Sequence, residues 1–137
     1  MLPLTLVRMT GTFAVCKLPP DAPLPDWAAS GSLFSITRTT DELSVVCHQD
    51  AVPEGVRCER GWRCLRVAGT LDFSLVGVLA SLVGPLAGAA LSVFVLSTFD
   101  TDYLLVKEQV LGLAVEVLLR HGHSISPPAT DPCATST

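Results

Sequence analysis

The sequence predicts an α+β chain of two related antiparallel modules, the first of them shortened. Two observations lead there. The segment 37–43 (TRTTDEL) recurs 61 positions later as 98–104 (TFDTDYL), with Thr, Thr, Asp and Leu at matching places. Each copy lies between short β-type runs, 33–36 and 43–47 for the first, 91–96 and 104–107 for the second. Asp and Thr side chains bond the neighbouring backbone and so favour turns. Each copy therefore reads as strand, turn, strand, with a carboxylate on the turn, and a unit repeated at this interval implies duplicated modules.

Residues 11–18 (GTFAVCKL) read as the first strand, ended by Pro19 and Pro20. The proline-rich stretch 21–25 is loop, and Asp26 can cap a short helix over 27–30, closed by Gly31. After the first hairpin, 49–61 is a connector with Pro53 and two glycines, and it is the best domain boundary. A strand follows at 62–68. The helix expected from Ser74 has an apolar stripe at Leu75, Leu79, Leu82 and Leu86. Beside it runs a small-residue face at Gly77, Ser81, Gly84 and Gly88, read first as packing on the module's own sheet and second as a ligand or subunit contact. Pro85 cannot donate to the carbonyl of Ser81, so a kink or an early end is expected there. The cleanest helix is 108–120, with Glu108, Gly112, Glu116 and Arg120 on one polar stripe. Gly122 stops it, and 123–126 adds an edge strand.

The second half thus reads β-α-β-β-α-β, the ferredoxin-like order. The first half is a strand, a stunted helix and a hairpin. The expected division is 1–61, 62–126 and a Pro/Ser/Thr-rich disordered tail, 127–137.

Composition limits the function. The chain has 137 residues, 49% hydrophobic, and a net charge of −4. Two modules of this size would be marginal alone and are expected to share a core or pair with another subunit. The acidic balance argues against nucleic acid, because Arg57, Arg60, Arg63 and Arg66 are interleaved with Glu59 and follow Glu54. Five cysteines without a C-x-x-C pair read as buried thiols in a reducing compartment, with no metal site. No secretory signal is read at the N-terminus. The uncharged run 73–99 is long enough to span a bilayer. It is read instead as a buried helix leading into a buried strand, since Gly84-Pro85 interrupts it and its residue chemistry shifts from Leu/Ala/Gly to β-branched.

Three segments carry a resemblance. Residues 97–106 (STFDTDYLLV), 34–39 (FSITRT) with 41–44 (DELS), and 69–77 together resemble the ACT-domain proteins, in particular the small tandem-ACT group similar to the aspartate kinase regulatory region and CASTOR-type arginine sensors. The likeness covers about 10–126. It implies tandem ferredoxin-like (ACT) βαββαβ modules, antiparallel sheets with helices on one face, in a cytoplasmic homodimer without catalysis or cofactor. The implied partner is a small effector, typically an amino acid, held where ACT modules pair. Carried over residue by residue, the site comprises the loop entering the helix (Asp72, Ser74, Leu75, Val76, Gly77) and the turn (Phe99, Asp100, Thr101, Asp102). One departure concerns Ala90, which stands where a glycine is usual before the second strand's apolar run.

The residue chemistry points to the same place. An amino acid needs an acceptor for its ammonium, which Asp102 or Asp100 can supply. It needs donors for its carboxylate, which backbone N–H groups opening a helix near Ser74 and Leu75 can supply. Asp41 reads as a turn cap, whereas Asp102 is open to either role. His48, His121 and His123 sit in no nucleophile pattern, and His121 is placed to cap a helix C-terminus. The competing reading is a ligand-free module that docks on a partner protein.

Overall fold

The computed structural model describes residues 3–69 and 77–128. In chain order the elements are β1 (Thr5–Arg8), β2 (Phe13–Leu18), β3 (Ser35–Arg38), β4 (Leu43–His48), β5 (Cys58–Val67), α1 (Val78–Gly88), β6 (Phe94–Ser97), β7 (Asp102–Lys107), α2 (Leu111–Arg120) and β8 (Ser124–Ser126). Single 3-10 turns occupy Asp26–Ala28, Gln49–Ala51 and Glu108–Val110. Two compact units emerge, one formed by 11–63 and the other by 1–10 with the chain from 64 onward. This differs from the expected division after 61 because the N-terminal residues join the later part of the chain. The reason is β1, which pairs antiparallel with β5 through Leu6 and Val67 and parallel with β8 through Leu6 and Ile125. Its four residues are too few for a period to show in the sequence.

In the unit 11–63 the strands run in the order β3-β4-β2-β5. Alternation along β2 and β4 sends Ala14, Cys16, Leu43, Val45 and Cys47 to one core, closed by Ala28 and Val52. The expected capped helix is a 3-10 turn instead: Pro25 precedes it and no side chain caps it. Three residues between prolines and glycine cannot nucleate an α-helix. On the other face, Phe13 lies against His48 with ring centroids 4.4 Å apart. The His48 ring also fills the space where a Cβ would stand on Gly11 or Gly31.

In the other unit the order is β6-β7-β5-β1-β8. Both helices pack on one face, where Leu82, Leu86, Ala114, Val117 and Leu118 meet Leu6, Leu65, Val67, Leu104 and Val106. Cys64, also buried in this unit, has its thiol pushed up to about 12 by desolvation. Helix α1 opens at Val78, behind Gly77 in the left-handed conformation (φ 81°), and the expected start at Ser74 lies outside the described residues. Of the kink or early end expected at Pro85, the early end does not occur. The helix continues to Gly88, and the Ser81 carbonyl that Pro85 leaves unbonded accepts from His123 Nε2 at 3.1 Å. Among the described residues no helix is long and apolar enough to cross a membrane.

Candidate functional site

Both repeated turns close in the same way. In the first, Thr39 N–H donates to Glu42 O (2.9 Å), and Thr39 Oγ1 accepts from the N–H groups of Asp41 and Glu42. In the second, Thr98 N–H donates to Thr101 O (2.9 Å), and Thr98 Oγ1 accepts from Thr101 N–H at 3.3 Å. Each bend therefore contains an aspartate, Asp41 or Asp100. Asp102 is not in the bend. It opens β7 opposite Ser97, whose hydroxyl donates to Asp102 Oδ1 at 2.7 Å.

Thr101 is 6% exposed, and its hydroxyl donates to Val67 O at 2.7 Å. That bond fixes the end of the β6–β7 turn on the last residue of β5, the strand that leads into the helix-entering loop. Phe99 stands at the tip of the same turn, 79% exposed, and Asp100 beside it is exposed. Of the entering loop, Gly77 is the cap of α1, while Asp72, Ser74, Leu75 and Val76 lie outside the described residues. Among the described residues, the N–H groups that open α1 are those from Val78 onward. Ser81 N–H, the first bonded within the helix, donates to Gly77 O.

The small-residue face of α1 takes a different course from the reading preferred in the sequence. Leu82 and Leu86 reach the core, but Gly84 and Gly88 are exposed, and a Cβ on either would meet nothing within 4 Å. Ala80, Ser81, Gly84, Pro85 and Gly88 form one wall of an open groove of about 740 Å³, with Val117, Arg120 and His121 of the α2 end opposite. His121 Nδ1 meets Val117 O at 2.9 Å, the capping role its position implied.

His123 was missed as a structural residue. It is 4% exposed; Leu4 N–H donates to its Nδ1 at 3.1 Å, so the proton sits on Nε2, which faces Ser81 O. A lone histidine between a helix stop and a short strand gives no signal of such a role. Among the described residues no group of three or more His, Cys, Asp or Glu could hold a metal ion.

Residues 57–120 match the ACT domain model, and 11–55 match a separate model described as an N-terminal domain. A crystallised protein from Agobacterium tumefaciens is 35% identical and superposes with a TM-score of 0.90, covering 95% of this chain and 97% of that one. The ligand-free regulatory subunit of aspartate kinase from Thermus thermophilus shares the fold at 9% identity, with a TM-score of 0.61 over 85% of this chain and 96% of that one. Over 66 residues the chain is 39% identical to the Homo sapiens cytosolic arginine sensor for mTORC1 subunit 1, covering 47% of this chain and 20% of the sensor. The chain thus spans about a fifth of the length of the curated relatives it matches.

Proposed function

Because the chain belongs to the ACT-domain family, we propose that it is a non-catalytic regulatory protein that binds an amino acid at the β6–β7 turn, beside the segment entering α1. The observation that carries this reading is the Thr101–Val67 hydrogen bond, which holds two stretches far apart in sequence against one another. Asp100 in the bend and Asp102 at the strand start offer carboxylates to an ammonium group. The first turn of α1 offers N–H groups to a carboxylate. A second copy of the chain completes the site in a cytoplasmic homodimer. Arginine is the first effector to try, given what the human relative is named for, since the carboxylates of Asp100 and Asp102 also suit a cationic side chain.

A thermal-shift screen of the standard amino acids tests the proposal. An effector that binds the folded protein alone raises the melting temperature as its concentration rises. The absence of any stabilisation at millimolar concentration would sink it. The second reading, docking on a partner protein without a ligand, draws on the exposure of Phe99 and the open groove along α1. Asp102→Ala separates the two. Loss of the ligand response with unchanged size-exclusion behaviour supports sensing, whereas loss of partner capture alone supports docking.

A further inference from the structure

The three thiols of the unit 11–63 gather on one side of its sheet. Cys16 on β2 stands directly across from Cys58 on β5, and Cys47 on β4 stands across from Ala14, two residues along from Cys16 on the same strand face. Lys17 N–H donates to Arg57 O at 3.0 Å, one residue beyond each cysteine. Cys16 and Cys58 are therefore a non-hydrogen-bonded pair, the antiparallel position at which the two backbones come closest, with Cα atoms about 4.5 Å apart. That separation lies within the span a disulfide bridges, whereas diagonal neighbours such as Cys16 and Cys47 are about 7–8 Å apart.

We propose that Cys16 and Cys58 are a reversible dithiol, oxidised by disulfide exchange with a small-molecule disulfide such as oxidised glutathione. The two residues differ in access: Cys58 is half-buried, whereas Cys16 is buried. Cys58 reacts first. Its thiolate attacks one sulfur of oxidised glutathione, and one glutathione thiolate leaves, giving a mixed disulfide. Cys16 then attacks the Cys58 sulfur, its proton passing to the second departing glutathione. Two protein thiols and one oxidised glutathione become one protein disulfide and two glutathiones. Burial holds Cys16 in the thiol form, with a pKa pushed up to about 12, against the opposing pull of the Arg60 guanidinium. The second step is therefore the slow one. Such exchangeable pairs are the form that disulfides usually take in reducing compartments.

The test is incubation of the full chain in its native state with oxidised glutathione, followed by intact mass and a non-reducing peptide map. The expected product has lost two hydrogens, carries a Cys16–Cys58 crosslink, and returns to the starting mass with dithiothreitol. Cys47→Ser and Cys64→Ser leave the link in place. Cys58→Ser abolishes it, and because this side chain is half-buried the variant is expected to fold. A glutathione adduct persisting on Cys58, a crosslink through Cys47 or Cys133 instead, or no change of mass would each overturn the proposal.

Discussion

His123 Nε2 donates to the carbonyl of Ser81, the one acceptor in α1 that Pro85 leaves without its helical N–H. A proline four residues on removes a donor, and a histidine distant in sequence replaces it. The same imidazole accepts from Leu4 N–H, so one buried ring joins the lead-in to β1, the middle of α1 and the residue before β8. This explains why α1 passes through Pro85 for another three residues without stopping.

The relationship predicts non-additivity. His123→Ala leaves a buried N–H and a part-buried carbonyl without this partner, costing about 1–3 kcal/mol. Pro85→Ala restores the helical donor, so the double variant should recover about 1 kcal/mol of that loss. Urea unfolding of the four proteins measures the coupling. Strict additivity would mean that the Ser81 carbonyl does not connect the two positions.

Ala90 carries a second prediction. It is the only non-glycine with positive φ (61°) among the described residues, and it follows α1 where Leu91 N–H reaches back to Leu86 O at 3.0 Å. This is the helix-ending arrangement that glycine ordinarily serves. The left-handed conformation costs a side-chain-bearing residue about 1–2 kcal/mol. Glycine repays part of that in unfolded-chain entropy, so Ala90→Gly should stabilise by about 0.5–1 kcal/mol. Denaturant midpoints with an unchanged slope are the measurement; a loss of stability would show that the Cβ makes contacts outweighing the strain.

The departure at Ala90 was visible in the sequence, and so were the hairpins, α2 and the order of the second module. The register of the repeat was not. Matching letters align Asp41 with Asp102, but the hydrogen bonds align Thr39 with Thr98, hence Asp41 with Asp100 and Leu43 with Asp102. Thr and Asp recur too readily around turns for four identities to fix a bend to within two residues. Backbone bonding decides it, and the bond pattern is invisible in letters. For the same reason Thr101, read as a ligand contact, could not be seen to spend its proton on Val67. β1 and His123 were hidden differently, since both act through partners more than 40 residues away.

Thr101→Val should therefore act first on stability. It removes a 2.7 Å bond to a buried carbonyl, at a cost of about 1–3 kcal/mol. If the proposed site is correct, any amino-acid response weakens as well, because the turn loses its hold on the end of β5. Thr101→Ser keeps the hydroxyl and should retain most of both. Equal loss in the Ser and Val variants, in melting temperature and in ligand response, would show that the methyl group and not the bond matters.

His48 predicts a pH dependence confined to the unit 11–63. Burial against Phe13 and beneath Gly11 and Gly31 lowers its pKa below the usual 6.5, with Asp50 opposing more weakly. The unfolded chain then takes up the proton first as the solution is acidified. Below pH 6.5 the unfolded state binds more protons than the folded one, so stability rises with pH. The contribution is complete above pH 6.5 and is lost as pH falls toward the folded-state value. Both tryptophans of the chain, Trp27 and Trp62, lie in this unit, so their fluorescence reports its unfolding directly. Urea midpoints followed by that signal should fall as the pH drops below 6.5 in the wild type, and fall less in His48→Gln. Identical slopes in the two proteins would assign the pH dependence to other groups and remove His48 as its source.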